Sequence, residues 1–207
     1  TENEKIHFII GYLRGANSMD LTTVLILAVP VLILYFLYAG IIKNRNKAKE
    51  ALSGVDVQLK KRSNLIPNIL KIAKKFMEHE KSLMNEIVTL REQADKSYDE
   101  GDKEAVKEHL ALSEQLAGKM SGFMVKVEAY PDLKSDASML QAQKTYNEVE
   151  EQIAAARRFY NSAVNNLNNS VQIFPGSVIA NMINISEMPF YETDEASKAP
   201  VDASGFL

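Results

Sequence analysis

From Ala48 onward the apolar residues of this chain fall on a 3-4 repeat. The series runs through Ala48, Leu52, Val55 and Leu59, then Ile66, Ile69, Ala73, Phe76, Leu83, Ile87, Leu90 and Ala94. Only Arg62 and Glu80 interrupt it. Steps of three and four residues place successive side chains on one stripe of an α-helix, and a stripe sustained this far predicts coiled-coil-like packing. Proline lacks a backbone donor and ordinarily breaks a helix interior, yet the register passes Pro67 without a slip. The pattern therefore predicts one long helix from Lys43 to Tyr98, kinked at Pro67.

The polar run DKSYDEGDKE around Gly101 predicts a turn, with Asp102 as N-cap of the next helix. That second helix carries Val106, Leu110, Leu116, Met120, Phe123, Met124 and Val127, and stops at Tyr130-Pro131-Asp132. Asp136 can cap a third helix, whose stripe runs through Leu140, Val149, Ile153, Ala156, Tyr160, Val164, Leu167, Val171 and Phe174. Pro175-Gly176 ends it, and a short amphipathic piece follows from Val178 to Ile183. The tail from Glu192, ETDEASKAPVDASGFL, has the polar composition of a disordered segment.

Ahead of the repeat stands a different pattern. Leu21 to Ile42 is 22 residues without a charge, and a helix of that length spans about 33 Å against a hydrocarbon core of about 30 Å. Tyr35 and Tyr38 lie toward one end, where amphipathic rings favour the interface, and Pro30 lies mid-span. A cleaved signal peptide is the rival reading. The run exceeds a signal core of about 7–15 residues, and no basic region precedes it. Lys43, Arg45, Lys47 and Lys49 crowd its far side, so the positive-inside rule places residues 43–207 in the cytoplasm and the N-terminus outside. The expected organisation is an extracytoplasmic segment over 1–20, a transmembrane helix over 21–42, a helical bundle over 43–191 and a flexible tail over 192–207. Ile6, Ile9, Ile10 and Leu13 give the first segment the spacing of a short interfacial helix. The fold class is all-α: a transmembrane helix followed by an elongated antiparallel bundle.

Helix lengths then raise a packing problem. A helix over 43–98 is about 84 Å long, whereas one over 102–129 is about 42 Å and returns only halfway. Residues 43 to 68 would lack a partner, leaving Ala48, Leu52, Val55 and Leu59 as an exposed apolar seam. Either residues 175–207 fold back over the seam or neighbouring subunits cover it. The polarity of the tail favours neighbours, which makes these four residues the candidate oligomer interface.

Composition narrows the chemistry. The chain has no cysteine, which excludes disulfides, zinc-thiolate sites and cysteine nucleophiles. Neither His79 nor His109 has a glutamate three residues before it, so the Glu-x-x-His pairing of di-iron bundles is missing. Both read as solvated or capping residues. No phosphate-binding, dinucleotide, zincin or nucleophile-elbow motif occurs, so no catalytic residue, cofactor or metal site is expected. Residues 43–96 carry 13 basic and 7 acidic groups, and residues 97–207 carry 9 and 17. The preferred reading is that these halves pack on each other; the alternative sets the basic half against anionic lipid. Nucleic acid is disfavoured, since no aromatics interleave with the basic residues. Asn161, Asn165, Asn166, Asn168 and Asn169 crowd nine positions, as amide ladders to another helix or as a frayed polar face.

Three ordered segments resemble the LemA family: DVQLKKRSNLIPNI at 56–69, AYPDLKSD at 129–136 and RRFYNSAVNNLNNSVQIFPGSVIA at 157–180. The resemblance spans roughly residues 20 to 192. Matching positions are Asp56, Arg62, Pro67, Tyr130, Pro131, Arg157, Tyr160, Asn161, Asn168, Phe174 and Pro175, for which it implies structural or interface roles. Two positions depart: Leu167 stands where the family usually has a second tyrosine, and Leu52 where it often has tryptophan. The resemblance implies a bacterial membrane protein with one anchor, a helical bundle and no established enzymatic activity. A relative that acts in magnetosome membrane biogenesis implies an organising role at membranes. The function so read is a non-enzymatic scaffold in the inner membrane that self-associates. An adaptor recruiting a protein partner is the alternative, and an enzyme with a site between subunits is a more distant one.

Overall fold

A computed structural model describes residues 21–192 of this chain, with side chains from Val24 onward. The expected extracytoplasmic segment over 1–20 and the flexible tail past Glu192 lie outside the described residues. Those described are all-α, in six helices: α1 Leu21–Ala73, α2 Lys81–Ala94, α3 Lys103–Val127, α4 Pro131–Lys134, α5 Ala137–Gln172 and α6 Gly176–Met182. A short 3-10 turn, Glu78–Glu80, stands between α1 and α2.

α1 is a single helix of 53 residues, with Pro30 and Pro67 inside it. The apolar segment and the first soluble helix are thus one continuous element about 80 Å long. Pro67 does not end it, as the unbroken register implies. The expected continuation to Tyr98 is corrected, because the chain reverses after Ala73. Backbone bonds from Phe76 and Met77 to the Ala73 carbonyl, 2.9 and 3.0 Å, close the last turn. Met77 is then fully buried at the distal end, with Phe76 packed beside it. Returning along α1, α2 brings Met84, Ile87 and Ala94 into the same core as Ile66, Ile69 and Ala73. The 3-4 stripe is preserved, but it lies on two antiparallel helices.

Local capping follows the sequence. Asp102 accepts from the Glu104 amide at 2.9 Å and opens α3, and Asp136 accepts from the Met139 amide at 3.0 Å and opens α5. Pro131 occupies the first turn of α4, where a missing N–H costs no bond. α5, at 36 residues, is long enough to follow α1 back from the distal end.

Two apolar clusters fill the bundle. The distal one joins α1, α2, α3 and the start of α5 around Met120, Phe123 and Leu133. The proximal one, toward the N-terminal end of α1, joins Ile41, Ala48, Leu52, Val55 and Leu59 of α1 to Ile153, Tyr160, Val164 and Leu167 of α5, and to Ile179, Ala180, Ile185 and Tyr191. Ala48, Leu52, Val55 and Leu59 are therefore core residues of the single chain, not an open seam, and the expected oligomer interface at these positions is corrected. The physical reason is twofold. α5 runs the full height of the bundle, and residues 176–191 fold back over what remains. Leu52 and Leu167, the two departures from the family pattern, are fully buried in this one cluster, where an aliphatic side chain serves as packing.

Candidate functional site

Midway up the bundle, a line of polar side chains runs through the apolar interior. Arg62 is only 1% exposed. Its Nη2 donates to the Ser113 carbonyl of α3 at 2.6 Å, and its Nη1 lies 3.5 Å from Glu150 Oε1 of α5. One side chain thus ties α1 to two other helices, which suits the forked donor geometry of a guanidinium. Arg62, one of the two residues that interrupt the apolar stripe, thus joins the helices at that level.

One turn further along α1, Pro67 leaves the carbonyl of Ser63 without its helical donor. Arg91 of α2 takes that place, donating from Nε at 2.8 Å. The buried Ser63 hydroxyl donates to Asp95 Oδ2 at 2.8 Å, and Lys60 pairs with the same oxygen at 3.1 Å. Pro67 is therefore a docking point for α2.

Toward the N-terminal end of α1, Asp56 accepts from the Tyr98 hydroxyl at 2.7 Å and meets His109 Nε2 at 3.1 Å. The Tyr98 and His109 rings stack with centroids 4.1 Å apart. His109, which reads from sequence as solvated or capping, is a packed residue of this cluster. His79 is exposed in the distal turn, as expected. Burial, reinforced by the Asp56 carboxylate it serves, raises the pKa of the Tyr98 hydroxyl far above its ordinary value. It stays a donor at any physiological pH. These groups line a cleft of about 300 Å³ between α1, the 95–100 segment and α3, open beside Lys60, Asp95 and Glu100.

Below the cleft, α5 holds the returning segment with three motif residues. The Tyr160 hydroxyl donates to the Pro189 carbonyl at 2.7 Å. Asn161 and Asn168 each make a reciprocal pair of bonds with the backbone of a single residue. Asn161 pairs with Tyr191 at 3.0 and 2.8 Å, and Asn168 with Met188 at 3.0 Å in both directions. An amide side chain bound this way replaces a strand neighbour for a segment that has none. Arg157 sits 4.7 Å over the Tyr191 ring, within cation–π range, and 3.8 Å from Glu114 of α3. Burial pushes the Tyr191 hydroxyl up to about 12.

The remaining motif residues serve the turns. Tyr130 packs partly buried against the distal core, directly before Pro131. The Phe174–Pro175 peptide is cis. Phe174 is 79% exposed, so it is not part of the core formed by the described residues. Of the basic flank, Lys43 and Lys47 are exposed, and Arg45 and Lys49 are half-buried. Among the described residues, Arg62–Glu150 is the ion pair that realises the expected pairing of a basic first half with an acidic second half. Lys119–Glu86 at 2.7 Å and Lys126–Glu80 at 2.6 Å run the opposite way between α3 and the 80–86 segment, and Lys119 holds the Glu86 carboxyl below its usual range. Among the described residues, no three acidic, histidine or cysteine side chains converge as metal ligands.

Comparison with known proteins agrees with the resemblance in the motifs. A model of the LemA family matches residues 51–204, which takes in all three segments. No curated protein matches the chain.

Proposed function

The chain belongs to the LemA family, and on that premise we propose that it is a non-enzymatic scaffold anchored in a bacterial inner membrane. The observation that carries this reading is α1. Among the described residues it is the one helix long and apolar enough to cross a membrane. Its side chains from Val24 to Phe36 point outward almost throughout, and from Ile41 on it supplies the central strut of the bundle. A helix that is both anchor and core strut holds the bundle close to the bilayer without an intervening linker. The titratable groups in the interior support the non-enzymatic part. Asp56 is engaged by two partners and Arg62 by two, and Tyr98 and Tyr160 are held as donors, so none stands as a nucleophile beside a free base.

In this reading copies meet through the exposed sides of the bundle, which carry Val57, Val125, Leu140 and Phe159, and not through the filled seam. The adaptor reading draws on the cleft beside Lys60, Asp95 and Glu100, a concave surface of mixed polar and apolar lining of a size to take a side chain of a protein partner. Particle size in mild detergent separates the two. A discrete multimer by native mass spectrometry is the expected result; a monomer at every concentration would reject the scaffold and leave the adaptor.

The basic flank supports a cytoplasmic bundle. Because the chain has no cysteine and Ser97 is exposed, Ser97→Cys gives a single reporter. An impermeant maleimide is expected to leave it unlabelled in intact cells and to label it after lysis. Labelling without lysis would invert the topology.

A further inference from the structure

Charged residues make up 25% of the chain, yet none occurs in the 28 residues from 159 to 186. This stretch forms the lower turns of α5, the corner after Gln172, and α6. Its height can be read against α1, to which α5 is antiparallel. The Asn44 amide donates to the Asn166 carbonyl at 3.5 Å, so Asn166 is level with a residue just past Lys43. Ile173 lies seven residues further down α5, about 10 Å nearer the anchor. That is the level of about Leu37, inside the uncharged run that ends at Ile42.

Packing at the corner agrees. Gly176 is pressed so close that a Cβ there would lie 2.2 Å from the Ser170 carbonyl and 4.0 Å from Ile41 Cδ1. Ile179 and Ala180 share the core cluster with Ile41, and Leu37 packs against that cluster too. The bundle therefore begins within the apolar part of α1. On the outer side of the corner, Ile173, Phe174, Val178 and Met182 are 63%, 79%, 51% and 82% exposed. Over 162–172 the exposed polar residues of α5 are all uncharged: Ser162, Asn165, Asn166, Asn169 and Gln172. The distal end of the bundle is the opposite case, with Lys74, Lys75, Glu78, His79 and Glu128 exposed.

We propose that the α5–α6 corner is a second lipid contact of this chain: a foot whose Ile173, Phe174, Val178 and Met182 seat in the headgroup–acyl boundary beside α1. The inference rests on the reading of α1 as a membrane span. Continuity selects the bilayer as occupant, because the outer face of the corner is level with the last turns of the span and adjoins them. Amphipathic elements seat about 5–10 Å into that boundary, which matches the height difference read from α5. Two attachment points would fix the tilt and rotation of the bundle, which a single helix leaves free.

The chain has no tryptophan, so a single one reports from a single place. Phe174→Trp and, separately, Leu27→Trp are made in the full chain and reconstituted in vesicles of phosphatidylcholine and phosphatidylglycerol. Both sites are exposed, so the core is unaffected, and wild-type helicity and melting check this. At position 174 the expected emission is blue-shifted, mostly lost when the acyl chains are brominated near the headgroup, and resistant to aqueous iodide. Emission typical of water with strong iodide quenching would overturn the foot. Blue-shifted emission indifferent to bromine would also overturn it, assigning the corner to a second copy. Position 27 isolates the premise. Quenching by bromine deep in the bilayer at 27 but none at 174 rejects the foot alone, and insensitivity at both rejects the span and the foot with it.

Discussion

Leu52→Asp is expected to unfold the bundle itself, whatever its state of assembly. Leu52 is fully buried in the proximal cluster, among side chains from α1, α5 and the returning segment. Truncation to alanine at such a site costs about 2–5 kcal/mol through lost transfer energy and the cavity left behind. A carboxylate adds the desolvation of a group with no partner there, against a total stability of about 5–15 kcal/mol for a typical domain. Circular dichroism of the full chain in detergent should show lost helicity or a collapsed melting transition, with Leu52→Ala intermediate. A fully folded Leu52→Asp chain that changes only in particle size would restore the intersubunit seam and reject the packing described here.

The seam and the filled core differ by the position of one turn. The residues around the reversal, Lys74, Lys75, Phe76, Met77 and Glu78, include no glycine or proline and are mostly ordinary helix formers. A 3-4 stripe is also the same whether a helix continues or doubles back, since both routes bury the stripe in one core. The signal of a reversal in the sequence is Glu80, a charge at a stripe position, together with two adjacent apolar residues at 76 and 77, where the stripe needs only one. A first helix drawn through to Tyr98 deprives residues 43–68 of their partner. Ending it at Ala73 gives α5 the length to cover them, and the remaining surface falls to the short amphipathic piece and residues 183–191.

The site was legible in kind more than in contact. Arg62, Pro67, Tyr160, Asn161 and Asn168 stand out by pattern or motif, and each makes a specific contact with another helix or the returning segment, or marks where one is made. Their partners are less visible, because Ser113, Arg91 and Glu150 are ordinary residues of amphipathic helices. His109 is hard to place from sequence, since a histidine on a polar-looking face usually meets water; the ring of Tyr98 and the carboxylate of Asp56 come from residues 11 and 53 positions away. The asparagine cluster resolves into two functions. Asn161 and Asn168, seven residues apart and so on one face, grip the backbone of the returning segment, while Asn165, Asn166 and Asn169 are exposed. Neither a ladder to another helix nor fraying accounts for the pair.

Arg62→Ala is expected to be the most damaging single loss among the polar residues of the interior. It removes the bond to Ser113 and the pairing with Glu150, and it opens a cavity in place of a long side chain. Breaking a buried ion pair from one side costs about 3–5 kcal/mol. The lower end applies here, since Glu150 retains 31% side-chain exposure and can be partly solvated. Arg62 Nε meets no acceptor, so the guanidinium is itself incompletely satisfied, and its desolvation offsets part of what it contributes. That offset makes a sharper forecast than the loss alone. Arg62→Met keeps most of the volume and should melt well above Arg62→Ala. Adding Glu150→Gln to Arg62→Met should recover further stability by neutralising the stranded carboxylate. If the three variants melt together with the wild-type chain, Arg62 is a passenger in the core, and the helices are joined by apolar packing alone.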